Sequence, residues 1–100
     1  MKLDSARIST IQNYFKDKPV LKAYLFGSFA TDKADETSDM DILVELDYSN
    51  SIGLGFIQMQ LDLQDLLDKK VDLLSEKGVS KYIQPYIEED KVLIYAKLSN

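Results

Sequence analysis

The chain contains no cysteine and no histidine. The first absence removes disulfide frameworks, zinc–thiolate sites and redox switches. The second excludes a Ser-His triad and an imidazole metal site. Any catalysis is left to carboxylates, hydroxyls, backbone groups and lysine. Arginine is almost missing too: Arg7 stands alone, and the net charge is −5. Nucleic-acid binding draws most of its affinity from Lys and Arg on phosphates. With no basic cluster, long DNA or RNA is not expected as a ligand, and a partner protein with basic features suits the charge better. No apolar run approaches the ~20 residues of a membrane-spanning helix, and Met1-Lys2-Leu3-Asp4-Ser5 carries no apolar signal core. No membrane contact and a cytoplasmic location are expected.

What is present is an ordinary globular mixture, 45% apolar and 29% charged over 100 residues. That length supports one core, so a single domain over 1–100 is expected, without a separate substrate domain. The pattern predicts a helix from about Asp4 to Lys16, with Ile8, Ile11, Tyr14 and Phe15 on one face. Asp17-Lys18-Pro19 stops it. A strand over Val20–Phe26, a short helix over Phe29–Ala34 and a strand over Asp41–Leu46 follow. The polar loop Asp47–Ser51 leads into a long helix, about Ile52 to Asp68. A strand over Val71–Leu74, a turn through Gly78, a helix over about Ser80–Glu88 and an extended Lys91–Ala96 complete the map. The fold class is α/β (α+β): a small mixed sheet with helices packed on it.

Gly27-Ser28, ten further residues, then Asp39-Met40-Asp41 form the most informative stretch. Glycine lets backbone approach a ligand closely. Ser28 can cap the short helix, whose N-terminal N–H groups suit a phosphate. Asp39 and Asp41 stand at the mouth of the second strand, two residues apart and so on one side. Side-by-side carboxylates repel unless a cation neutralises them, and a hard divalent ion such as Mg²⁺ does so with oxygen ligands. A Gly-Ser turn facing such a pair is suited to a metal-chelated triphosphate. Asp72 interrupts the apolar segment Val71-Asp72-Leu73-Leu74. A third carboxylate on a neighbouring strand would complete a two-metal arrangement, with ions ~3.5–4 Å apart.

Gly27-Ser28…Ser38-Asp39-Met40-Asp41 resembles the signature of the DNA polymerase β-like nucleotidyltransferases. The short chain is similar to their minimal branch, which includes the antitoxins of HEPN/MNT toxin–antitoxin pairs. The likeness runs from about Leu21 to Ala96 and includes Leu66–Leu74 and the closing Ile87–Tyr95. It implies the polymerase β-like fold, with Asp39, Asp41 and Asp72 as catalytic, metal-holding residues and Asp72 also activating the attacking hydroxyl. It further implies that Gly27, Ser28 and Ser38 bind the nucleotide. The substrate would be ATP, the cofactor Mg²⁺, and the acceptor a tyrosine hydroxyl on a HEPN toxin. A non-catalytic docking antitoxin and a small-molecule transferase are the alternatives. Where many relatives read Gly-Ser-X-Ala-Arg-Gly, this chain has Thr31 and Asp32 at the last two positions, with Lys33 next as a compensating nucleotide-binding cation.

The long helix carries two apolar stripes. Ile52, Phe56, Met59, Leu63, Leu66 and Leu67 form one, expected to pack on the sheet. Leu54, Ile57 and Leu61 form another, nearly opposite. The second is expected either to meet the N-terminal helix or to dock a second chain.

Overall fold

The computed structural model describes residues 5–27, 39–49 and 51–97. Its element order is α1 (Ser5–Phe15), β1 (Val20–Phe26), β2 (Met40–Leu46), α2 (Gly55–Leu67), β3 (Val71–Ser75), a 3-10 turn (Glu76–Gly78), α3 (Gln84–Asp90) and β4 (Val92–Ala96). The strands make one sheet in the order β3-β2-β1-β4. β1 runs antiparallel to β2 and β4, while β2 and β3 are parallel. This is the mixed sheet that the period-two patterns called for. The expected helix over 29–34 lies outside the described residues.

Alternation along β2 sets the two faces. Met40, Ile42, Val44 and Leu46 point into the core. Asp41 and Glu45 take the opposite face and are only half-buried. The core face is closed by Ile11 and Phe15 of α1 and by Met59, Leu63 and Leu67 of α2. Pro19 cannot donate a helical hydrogen bond and biases Lys18 away from helix, so the chain turns into β1. α1 and α2 are tied by the Tyr14 hydroxyl, which donates to Asp62 Oδ2 at 2.5 Å. Burial and this carboxylate raise the Tyr14 phenol well above its ordinary range, and the same bond first of all holds Asp62 low.

α2 starts three residues later than the apolar pattern suggested. Gly53 adopts φ 48°, a left-handed conformation that breaks any helical run. The helix ends on Asp68 in the same region (φ 50°), whose N–H bonds Gln64 O. Only part of the first stripe is buried: Met59, Leu63 and Leu67 pack inside, Ile52 and Phe56 pack partly, and Leu66 in the last turn stays exposed. The second stripe does not reach α1. Leu54, Ile57 and Leu61 are all solvent-exposed, Leu54 at 81%.

α2 also closes the outer edge of the sheet. The Val71 N–H donates to Gln64 Oε1 (3.2 Å) and the Leu73 N–H to Gln60 Oε1 (3.0 Å). Two helical glutamines thus pair the donors that edge strand β3 would otherwise leave open. They grip the residues on either side of Asp72, which fixes where that carboxylate stands. Among the described residues no helix is long and apolar enough to cross a membrane.

Candidate active site

The sheet face turned away from α1 and α2 gathers the carboxylates at one end. Asp41 is the second residue of β2, and Asp72 is its partner in the parallel register with β3. On the other side of β2, Phe26 pairs with Asp41, so β1 delivers Gly27 to the same spot. Gly27 has φ 72°, and a Cβ built there would collide with Asp41 Oδ2. Backbone and carboxylate therefore touch, an approach open only to glycine. Asp39 precedes β2 and is half-buried, its carboxylate 3.7 Å from Lys70 Nζ. The Met40 N–H donates to Lys70 O at 3.0 Å, which joins the first turns of β2 and β3 and holds these two residues side by side.

The electrostatics match this crowding. Asp41 is pushed up to about 6, chiefly by burial, then by the Asp72 and Asp39 charges and by the hydrogen bond its neutral carboxyl donates to Asp72. Asp41 thus feels both other carboxylates, and the three predicted metal-holding residues share one locality. Among the described residues, however, no group of three or more could hold a metal ion by itself. Magnesium rarely needs such a cage, since it is usually bound by one or two carboxylates together with substrate phosphates and water. The facing Asp41–Asp72 pair, with only oxygen donors, fits that requirement.

Ser28, Ser38 and Lys33, together with Thr31 and Asp32, lie outside the described residues. Gly27 stands where the strand-ending turn was expected. Lys70 was missed as a site residue. Its signal was the Lys69-Lys70 pair just before Val71, which only the β2–β3 register places beside Asp39.

A glycine turn presses backbone against one of two facing carboxylates on the open side of the mixed sheet. The sequence profile of the Polymerase beta, Nucleotidyltransferase family matches residues 9–100, and the chain belongs to that family. It is 40% identical over 82 residues to a Methanocaldococcus jannaschii protein named as a candidate protein adenylyltransferase, across 79% of this chain and 82% of that protein. Two solved structures share the fold. A toxin–antitoxin with AMP-PNP superposes with TM-score 0.76 at 20% identity, over 90% of this chain and 73% of that one. A tri-AMPylated Shewanella oneidensis HEPN toxin in complex with its MNT antitoxin gives 0.70 at 17% identity, over 95% and 74%.

Proposed function

We propose that the chain is an antitoxin that transfers AMP from ATP to a tyrosine hydroxyl of a HEPN-type partner. The observation that carries this reading is the facing of Asp41 and Asp72 with Gly27 against Asp41. The M. jannaschii relative's name and the AMPylated toxin beside the Shewanella antitoxin support the choice of adenylyl group and acceptor.

In this reading Gly27 and Ser28 seat the β and γ phosphates, with Ser38 and Lys33 as further nucleotide contacts. Asp39, Asp41 and Asp72 would hold Mg²⁺, which when bound neutralises charge and polarises the phosphoryl oxygens. Asp72 accepts the proton of the acceptor hydroxyl. The phenolic oxygen forms a bond to the α phosphorus as the bond to the bridging oxygen breaks. Its electron pair leaves with pyrophosphate, and AMP stays on the acceptor as a phosphodiester. Lys70 pairs with Asp39 at 3.7 Å and would be released toward the phosphates if a cation took its place on that carboxylate.

The exposed stripe Leu54, Ile57 and Leu61 favours a second reading, neutralisation by docking alone. Melting curves with Mg²⁺ and AMP-PNP separate the two. Ligand at a hundredfold excess over its Kd stabilises by about 2.7 kcal/mol, a rise of roughly 10 °C or more for a domain this small. Transfer predicts that rise and its loss in Asp72→Asn. Docking alone predicts an unchanged melting temperature.

A further inference from the structure

The outward side of α2 carries the spacing of a helix–helix seam. Leu54, Ile57 and Leu61 stand at i, i+3 and i+7. They are 81%, 56% and 49% exposed, and among the described residues none of them joins the core. The other sides of α2 are occupied. Met59, Leu63 and Leu67 pack inward, Gln60 and Gln64 hold β3, and Asp62 accepts from Tyr14. Three large apolar side chains in line on the remaining face make a contiguous apolar patch, the mark of an interface.

Charge along the same helix selects the occupant. From Leu54 to Asp68 there are three carboxylates and no lysine or arginine, and all three carboxylates lie in the second half. Asp62 turns to Tyr14, but Asp65 and Asp68 are exposed at the C-terminal end, where the helix dipole disfavours anions. Of the lysines that follow, Lys70 turns to Asp39. The first turn, where anions are favoured, has no acidic residue and no side-chain cap. Both ends of α2 are thus mismatched in a single copy. An antiparallel copy corrects both at once. With a two-fold axis beside Ile57, Leu54 packs on Leu61 of the second copy and Leu61 on its Leu54. One turn beyond Leu61, Asp65 then meets the start of the second copy's α2. A parallel pair would instead set Asp65 against Asp65.

We propose that α2 pairs antiparallel with α2 of a second copy of this chain, through Leu54, Ile57 and Leu61 across a two-fold axis. Such a contact is isologous, so every interaction in it counts twice. Three side chains from each copy cover less than the ~800 Å² per partner of a standard interface. The pair is correspondingly weak, with Kd on the order of 100 µM. Asp41 and Asp72 lie on the sheet face turned away from α2, so pairing leaves both sites open. The pairing does not depend on the transferase reading.

Sedimentation velocity of the full chain from about 10 µM to about 1 mM reads the association. The sedimentation coefficient should climb with concentration from that of a monomer toward that of a dimer. Ile57→Glu sets two carboxylates face to face at the axis and should weaken pairing at least about tenfold, with the fold intact by melting temperature. Leu66→Glu replaces a leucine that is just as exposed but lies off the seam, and it should leave pairing unchanged. Direction is read separately. The chain has no cysteine, so a mixture of Leu54→Cys and Leu61→Cys should oxidise mainly to the mixed disulfide. A preference for the two homodisulfides would make the helices parallel and overturn the assignment. Disruption by Leu66→Glu equal to that by Ile57→Glu overturns it too. A chain that stays monomeric throughout also overturns it, and returns the stripe to the docking of a different protein.

Discussion

Asp41→Asn is expected to lower transfer by about 10³-fold and, in the absence of divalent cations, to make the protein more stable. Asp41 is pushed up to about 6, mostly by burial and by Asp72 and Asp39. The anion is therefore disfavoured in the folded state by about 3 kcal/mol at face value. The carboxylate is half-exposed, and screening reduces the penalty to about 1–2 kcal/mol. Asparagine has the same shape, fits against Gly27 and donates a hydrogen bond to Asp72 without carrying charge. For a domain of this size the gain corresponds to a rise in Tm of about 5 °C or more. The sign follows from proton binding. Between the ordinary carboxylate value and about 6 the native state holds more protons than the unfolded chain, so wild-type stability falls as pH rises through that window. The variant lacks that decline. Asp47 and Asp62 are held low and act in the opposite sense, below the usual carboxylate range. In the proposed reaction, loss of this carboxylate oxygen should lower transfer by about 10³-fold, since such electrostatic stabilisation contributes several kcal/mol. Differential scanning fluorimetry in EDTA across pH 4–8, beside a transfer assay, reads both effects. A variant no more stable than wild type in EDTA would contradict the crowding argument.

Gly27→Ala is expected to separate geometry from charge. At φ 72° an alanine costs about 1–2 kcal/mol. Its Cβ falls on Asp41 Oδ2, so the carboxylate must move. A displacement on the order of 1 Å in an aligned site costs about 100-fold in rate. The loss should appear with no carboxylate removed. Gly55→Ala is the control: nothing lies within 4 Å of a Cβ there, its φ is not positive, and it opens α2. Helix propensity makes that change neutral or stabilising by about 0.5–1 kcal/mol. Urea midpoints and initial rates for the two variants check the contrast. Equal behaviour would mean that Gly27 is an ordinary turn residue.

The sheet and its carboxylates were readable in sequence because a strand writes its two faces at every second residue. Met40, Ile42 and Val44 announce a buried face, and Asp41 between them must point the other way. Gly27 was readable because an apolar strand ends on it. Information carried by neighbours was not. The glutamines that clamp β3 look like ordinary polar helix residues until the fold lays α2 along the sheet edge. Lys70 meets Asp39 only through the parallel register. A helical wheel found both stripes of α2, yet periodicity names no partner, and Leu54, Ile57 and Leu61 proved to face solvent. The apolar pattern runs on through Ile52, but Gly53 and Gly55 already mark that first turn as weak, and the left-handed backbone of Gly53 leaves it outside the helix.

The central claim is AMP transfer directed by the Asp41–Asp72 pair to a partner's tyrosine. Its most direct test is the intact mass of the co-purified HEPN-type partner after incubation with this chain, Mg²⁺ and ATP. The account predicts a gain of one or more AMP units, mapped to tyrosine and missing with Asp41→Asn. A stable complex whose partner keeps its unmodified mass would contradict it.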